Sequence, residues 1–401
     1  MTDTTFAGGT GIRARMRSAT AAREEPFRFT GDAREWFGIW IVNILLTILT
    51  LGIYSAWAKV RTKRYFLGHT SLDGHTFDYH AQPKQILIGR IIAIVVLAGL
   101  NLVSQVSPFA AIGVLVAYGF LLPWAIVRGL SFNANMTSYR NVRFGFEGTK
   151  RQAFMATFGW PALGILAASL IFGLVIGAAG GFDGSQAGPD DPILLVLGGI
   201  LAFMVLLSVV PLTSRAYAKL LGMHRYGTSR FACSPPLSRY WKALGLAVLI
   251  GFGGLVVLGA ASLGLLWAGG AMNGETSGIS ALAIVPAFLI YVFVFVGPVV
   301  YAALSRNAFF DNLELENGHR FVSDLPPLGY AWVVVSNIVV SVLTLGLMVP
   351  WAQIRLARYK AKHTRMLPAG PLDNVVAGEK DRTGVAQGEF LDLDGGFDFG
   401  F

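Results

Sequence analysis

The sequence predicts an all-α polytopic membrane protein, an internally repeated helical bundle with six full spans and two short or re-entrant segments. Three observations support this class. Of the 401 residues, 54% are hydrophobic and only 14% are charged, whereas soluble domains carry about 25% charged residues. Long runs without Asp, Glu, Lys or Arg alternate with basic loops, and one phrase occurs near both ends of the chain. The mean hydropathy of +0.57 agrees with a membrane protein.

The repeated phrase covers residues 43–65 and 337–359. Both copies keep Asn, Leu-Thr-Leu-Gly, Trp-Ala, Arg and Arg-Tyr in register. An internal match of this kind indicates a pseudo-symmetric architecture.

A second pattern places alternating aromatic residues shortly before apolar runs. It reads Phe27-Arg-Phe29, Phe77-Asp-Tyr79 and Phe144-Gly-Phe146, and degenerate copies begin at Phe231 and Phe321. Alternation of this kind is typical of a short strand that leads into a helix. We therefore predict five units that run from a short strand-like turn on the cytoplasmic side to a basic turn.

The apolar runs give eight membrane segments in a repeated domain over residues 27–365. A helical crossing needs about 20 apolar residues. The predicted segments are about 37–57, 86–104, 109–127, 154–178, 192–212, 243–268, 279–304 and 329–351. Residues 1–26 lack the apolar region of a signal peptide, so we predict a disordered N-terminal tail there and a disordered acidic tail over 366–401.

Loop charges predict the orientation in a bacterial cytoplasmic (inner) membrane. The linkers within the paired crossings, 105–108, 179–191 and 269–278, contain no Lys or Arg, whereas three of the four connections between units are strongly basic. The positive-inside rule therefore places the connections in the cytoplasm. The net charge of +9 then indicates contact with an anionic leaflet, with no nucleic-acid partner.

The outer segments, 37–57 and 329–351, allow two interpretations. In the first, each is re-entrant, turns near Thr50 or Thr344 and returns to the same side. Irregular backbone at that depth requires burial in protein or a cavity. In the second, both segments span the membrane and both tails lie outside.

A polar stripe lies on one face of each outer segment, because its members are spaced at i, i+4 and i+7. The stripes are Asn43, Thr47 and Thr50, and Asn337, Ser341 and Thr344. Two such stripes meeting at a pseudo-symmetric interface would bind or pass a small polar solute, as in repeat-built transporters. Hydrogen bonding between packed helices explains the same residues more simply.

Repeated basic residues give the competing prediction, a non-transport scaffold or envelope-maintenance protein that binds anionic lipid or a partner through its cytoplasmic face. Anchoring at the interface is the simpler explanation, and recognition of anionic lipid headgroups is the sharper one. The residues concerned are Arg61, Arg64, Arg128, Arg215, Arg355 and Arg358.

No pattern supports catalysis, a metal site or a cofactor, and we predict that the protein is not an enzyme. His69, His75 and His80 lie close together with two aspartates, but their spacing matches no zinc signature. Only His75 recurs, in Gly318-His319-Arg320-Phe321. A turn that shapes the entry to a strand explains this recurrence.

The phrases Leu-Thr-Leu-Gly-Ile-Tyr54-Ser-Ala-Trp57 and Leu72-Asp-Gly-His-Thr-Phe77-Asp-Tyr79 resemble the YjgN family of bacterial inner-membrane proteins. The resemblance covers about residues 27–365 and is loosest in the middle. It implies a multi-spanning protein with a domain of unknown function, and it supplies no catalytic residues. The oligomeric state and any substrate stay open.

Overall fold

The computed structural model describes residues 24–178, 192–269, 284–316 and 318–370. Within these residues, ten helices form five helical hairpins that are joined by short strands. The predicted linker 179–191, nearly all of 269–278 and most of both predicted tails lie outside the described residues.

Three central hairpins are long and two outer hairpins are short. The long ones are α3 (Pro83–Ser104) with α4 (Pro108–Met136), α5 (Lys150–Ala178) with α6 (Pro192–Leu221), and α7 (Leu237–Ala268) with α8 (Ile284–Phe310). The short ones are α1 (Ala33–Leu49) with α2 (Ser55–Gly68), and α9 (Pro327–Leu343) with α10 (Val349–Lys362). By length and composition, the five helices α3 to α7 can cross a membrane. The predicted helical membrane class is confirmed, and the count of eight segments stays a prediction.

Eleven strands in the described residues form one antiparallel sheet. They are β1 (Glu25–Pro26), β2 (Arg28–Phe29), β3 (Thr70–Leu72), β4 (His75–Tyr79), β5 (Thr137–Tyr139), β6 (Val142–Phe146), β7 (His224–Tyr226), β8 (Ser229–Cys233), β9 (Leu313–Leu315), β10 (His319–Ser323) and β11 (Thr364–Leu367). The two ends of the strand order are β1 and β2, which only Phe27 separates. The sheet is therefore a closed barrel.

This barrel corrects the all-α class that the sequence predicts. The sequence predicts one short strand-like turn in each unit, and in the structure the strands of every unit pair with those of the next one, as in β4 with β5 and β6 with β7. Strands β1 and β11 also use residues that the sequence assigns to the tails, Glu25–Pro26 and Met366 with Leu367. The folded domain is thus slightly longer than 27–365.

Residues alternate between the two faces of the barrel wall, as the period of a strand requires. Charged side chains lie outside and form ion pairs, including Arg230 with Glu147 at 2.9 Å and Arg320 with Glu314 at 3.0 Å. Apolar side chains face the axis. Each unit contributes one phenylalanine to a ring inside the barrel, here called the Phe ring: Phe27, Phe77, Phe144, Phe231 and Phe321.

The outer segments do not form single continuous helices, because the chain turns at 50–54 and 344–348. The Gly52 N–H donates to the Thr47 carbonyl at 2.8 Å, which is a common way to end a helix with residues in the left-handed region. Leu51 has φ 49° and Gly52 has φ 91°, and Leu345 repeats this with φ 50°. Each outer segment is therefore divided by a turn, and whether it re-enters or spans the membrane stays a prediction.

The two short hairpins are the first and the last of the chain, and they lie side by side because closure of the barrel brings the first and last units together. The Trp36 Nε1–H donates to Gln353 Oε1 at 2.7 Å, and an Arg358 guanidinium N–H donates to the Gly31 carbonyl at 3.0 Å. Helices of 17 and 14 residues are about 26 and 21 Å long, less than the ~30 Å hydrocarbon core. At the tips of these hairpins, Leu51 is 96% exposed and Leu345 94% exposed.

Candidate functional site

The predicted polar stripes mainly build the turns of the short hairpins. The hydroxyl of Thr50 accepts a hydrogen bond from the Tyr54 N–H at 2.9 Å and so caps the start of α2. In the second copy, Thr344 Oγ1 accepts from the Met348 N–H at 3.2 Å. The backbone carbonyls of Thr47 and Ser341 close the two turns.

Asn43 and Asn337 lie deeper and face an arginine of their own hairpin. Arg355 donates to Asn337 Oδ1 at 2.9 Å, and the Asn337 amide donates to the Ala352 carbonyl at 3.1 Å. Arg61 reaches Asn43 Oδ1 at 3.5 Å, near the limit for a hydrogen bond. The side chains of Asn43 and Asn337 are buried, at 5% and 7% exposure.

This arrangement differs from the predicted interface between the Asn43 and Asn337 segments. Helix α10 packs against both α1 and α9 and so takes the place between the two stripes. In the described part of the chain, the polar partners of both amides belong to their own hairpins. The physical reason is the turn, since it folds each arginine back onto the asparagine 18 residues before it.

A cavity of about 320 Å³ lies beside Asn43 alone. Polar groups from Asn43, Thr47, Thr62 and Gln353 line it, together with Trp36, Trp40, Ile44, Ile48 and Ala58. Asn337 and its stripe do not contribute to this lining. Gln353 is therefore the one residue of the last unit in the lining of this cavity.

The six predicted arginines divide into different roles. Three donate to backbone carbonyls that link a strand to the following helix: Arg64 to Tyr79 and Ala81, Arg215 to Pro235, and Arg358 to Gly31. Arg61 and Arg355 contact the buried asparagines. Arg128 is half-buried in α4.

Helix α10 presents a basic groove of about 280 Å³, here called the α10 groove. Its lining consists of Ala33, Trp351, Ile354, Arg355, Arg358, Tyr359 and Lys362. The Arg355 guanidinium also lies 5.2 Å from the centre of the Trp351 ring, which is a cation–π distance. Sequence reasoning found both arginines but missed Trp351 and Lys362, which the 3.6-residue period of the helix places on the same face.

The histidines next to β3 and β4 make separate contacts. His69 Nδ1 lies 2.8 Å from the Tyr65 carbonyl, His75 Nδ1 2.8 Å from the Asp73 carbonyl, and His80 Nε2 2.7 Å from Ser138 Oγ. The recurring His75 and His319 each begin a strand, in agreement with the predicted turn.

Burial shifts the pKa values of ionisable groups inside the barrel. It lowers the pKa of His319, whose Nδ1 accepts a hydrogen bond from the Ala369 N–H at 3.2 Å. It raises the pKa of Tyr139 to about 12, and the Tyr139 hydroxyl donates to the Leu72 carbonyl at 2.8 Å. Both side chains are therefore neutral at pH 7.

The fold and this site define a helical multi-pass membrane protein whose five related units close into a ring. Residues 24–393 match the family described as bacterial protein of unknown function, DUF898. The chain belongs to this family.

Curated relatives carry the name inner membrane protein YjgN. The protein from Salmonella typhimurium strain LT2 is 30% identical over 370 residues, which is 86% of this chain and 89% of that protein. Those from Escherichia coli O157:H7 and K12 are each 27% identical over 366 residues, 87% of this chain and 89% of each protein. No solved structure matches. The predicted family and the multi-pass location in the bacterial inner membrane are confirmed.

Proposed function

We propose that the protein binds anionic lipid headgroups in the α10 groove and works as a non-transport membrane protein without a catalytic step. The observation that carries this proposal is the pairing of the groove arginines with neutral atoms. Arg355 donates to Ser336 Oγ at 2.7 Å and to Asn337 Oδ1, and Arg358 donates to the Gly31 carbonyl. Their positive charges therefore stay available to an anion.

The local sequence supplies no compensating acid. Residues 327–367 contain no Asp or Glu but five Lys or Arg residues between 353 and 365. Phosphate is a suitable counter-charge, because arginine donates to it in a planar, charge-assisted geometry. Basic residues near an anionic membrane surface contribute about 1 kcal/mol each.

The aromatic lining supports a lipid rather than a soluble anion. Trp351 and Tyr359 lie in the groove with the basic side chains. Tryptophan and tyrosine concentrate where headgroups meet hydrocarbon. A lipid therefore offers phosphate to the arginines and its glycerol and first methylenes to the rings.

The same hydrogen bonds weigh against passage of a polar solute between Asn43 and Asn337. A transported solute would have to displace Arg355 from Asn337 Oδ1, to which it donates at 2.9 Å. A lipid headgroup reaches the guanidinium without breaking that contact, since an arginine carries five donors.

The proposal is tested with phosphatidylglycerol on the full chain. We would purify the protein from membranes, exchange it into detergent with a fixed amount of phosphatidylglycerol, and count bound lipids by native mass spectrometry. The double variant Arg355→Gln and Lys362→Gln should bind phosphatidylglycerol about thirtyfold more weakly, since two charges near a headgroup contribute about 2 kcal/mol together.

The matched control removes two positive charges from the outside of the barrel, with Arg230→Gln and Arg320→Gln. Both positions are largely exposed and lie on strands. This control should retain phosphatidylglycerol. Equal weakening in both double variants, or none in either, would contradict a headgroup site in the α10 groove.

A further inference from the structure

The α10 groove suits an occupant that is both acidic and apolar. Three cations and two aromatic side chains line it: Arg355, Arg358, Lys362, Trp351 and Tyr359. Among the described residues, no acidic side chain contributes to this lining. Arg358 and Lys362 are exposed, so an occupant has direct access to their charges.

The arginines on the outside of the barrel differ from these, because acids already neutralise them. Arg320 pairs with Glu314 at 3.0 Å, and Arg365 pairs with Asp324 at 3.2 Å. Both arginines lie on the last two strands, next to the end of the described chain. An acidic segment that leaves the barrel there therefore finds its unneutralised partners in the groove.

The chain contains a segment of this character. Residues 389–401 read Glu-Phe-Leu-Asp-Leu-Asp-Gly-Gly-Phe-Asp-Phe-Gly-Phe and lie outside the described residues. This acidic–aromatic segment holds four acids and four phenylalanines, with no Lys or Arg. Carboxylates match the planar donor geometry of arginine. Phenylalanine rings pack against tryptophan, tyrosine and guanidinium groups, so both parts of its composition have partners in the groove.

The acidic–aromatic segment is long enough and close enough to reach the groove. The Ala369 N–H donates to His319 Nδ1 at 3.2 Å, which holds the end of the described chain against the barrel. Helix α10 is about 21 Å long, and residues 363–370 extend at most about 27 Å beyond it. Residues 371–388 can extend to about 60 Å. Every part of the groove is therefore within reach.

We propose that the acidic–aromatic segment docks in the α10 groove of its own chain and competes there with anionic lipid. This regulation rests on the function proposed above, because both ligands use the same cations. A tether gives an effective concentration on the order of 1 mM. A segment that binds with a dissociation constant of about 0.1 mM then fills the groove about ten to one and weakens lipid binding about tenfold. A membrane richer in anionic lipid displaces it by mass action.

The test is photocrosslinking with the full chain, purified in detergent and freed of lipid. The photoreactive amino acid p-benzoylphenylalanine would replace Phe397, and mass spectrometry of the digested protein would locate the attached peptide. We expect a crosslink to residues 349–362 that added phosphatidylglycerol reduces. The triple variant Asp392→Asn, Asp394→Asn and Asp398→Asn should lose most of this crosslink. In native mass spectrometry it should bind phosphatidylglycerol about tenfold more tightly.

The matched control removes the same number of acids from the preceding stretch, with Asp373→Asn, Glu379→Gln and Asp381→Asn. It should keep both the crosslink and the lipid affinity of the unmodified protein. Equal effects of the two triple variants would overturn the proposal. A crosslink to the outside of the barrel, to a second copy of the chain or to a phospholipid would also overturn it.

The groove variant Arg355→Gln with Lys362→Gln separates this proposal from the headgroup site. If it weakens phosphatidylglycerol binding while no crosslink to α10 forms, the headgroup site stands and the docking is refuted. If it abolishes the crosslink while no variant changes phosphatidylglycerol binding, the segment docks in the groove and the headgroup site is refuted.

Discussion

The two buried asparagines occupy equivalent repeat positions but make contacts of different quality, so replacing each by leucine should have unequal effects. Asn337→Leu removes the 2.9 Å bond from Arg355 and the 3.1 Å bond to the Ala352 carbonyl. Hydrogen bonds to charged groups contribute about 1.5–3 kcal/mol and neutral ones about 1 kcal/mol, but those between membrane helices average about 0.6 kcal/mol. Since Arg355 keeps Ser336 as an acceptor, we expect a loss of about 2 kcal/mol.

Asn43→Leu is the matched control. The Arg61 contact to Asn43 is 3.5 Å long, and Arg61 also donates to the Tyr54 hydroxyl at 3.1 Å. The weak bond is lost while the better one remains, so the free energy of unfolding should fall by about 0.5 kcal/mol or less.

The assay is reversible unfolding in mixed micelles, in which rising mole fractions of dodecyl sulfate unfold the protein and tryptophan fluorescence follows the transition. The two variants should differ by about 1.5 kcal/mol, equivalent to about tenfold in the unfolding constant. If Asn43→Leu costs as much as Asn337→Leu, hydrogen-bond geometry does not determine the stability of these hairpins.

Three further predictions follow from single residues. Burial lowers the pKa of His319. The stability that its neutral ring contributes is therefore complete above the ordinary pKa of about 6.5 and is lost as the pH falls below that value. Melting temperatures measured from pH 7.5 to 5 should fall for this reason, and His319→Gln should make that fall smaller. Gly297→Leu should destabilise the α7–α8 pair by about 1–3 kcal/mol, because a side chain there meets the Ala247 carbonyl at 3.1 Å, as melting temperatures would report. Leu51→Asp should lower the amount of protein in the membrane fraction, since aspartate in hydrocarbon costs up to about 3 kcal/mol.

Each of these predictions has its own control. A pH dependence unchanged by His319→Gln would assign the titration to another group, such as His224, whose pKa burial also lowers. Gly259→Leu should be tolerated, because a side chain there meets no atom within 4 Å; equal damage from both glycine variants would contradict the close crossing. Leu328→Asp, at the sheet end of α9, should leave protein levels near normal, and matching losses at Leu51 and Leu328 would indicate that the Leu51 tip is not in the bilayer.

Local features of the chain were predictable from sequence. The apolar runs marked the helices because a span requires a long uncharged stretch, and Thr50-Leu-Gly52 marked a turn because glycine adopts positive φ without strain. The aromatic alternation at Phe77 and Phe144 correctly indicated strands.

The arrangement of those features was not predictable. Strand pairing in the barrel is non-local, as β1 with β11 joins Glu25 to Met366, and no local period encodes a partner that far along the chain. The role of the Phe ring was missed for the same reason, since its members meet only after the ring closes. The contact between Asn337 and Arg355 depends on the turn, so the expected meeting of the two polar stripes had no independent support in the sequence.

The closing seam of the barrel has a consequence for biosynthesis. Strand β1 pairs with β11, so the first strand of the fold has no partner on that side until nearly the whole domain has been synthesised. During that time β1 and β10 are open edges, which tend to pair with other chains. A polypeptide released before residue 364 would keep those edges permanently and would expose the phenylalanines to water. An incomplete copy therefore differs from a complete one in two unpaired strand edges, at β1 and β10.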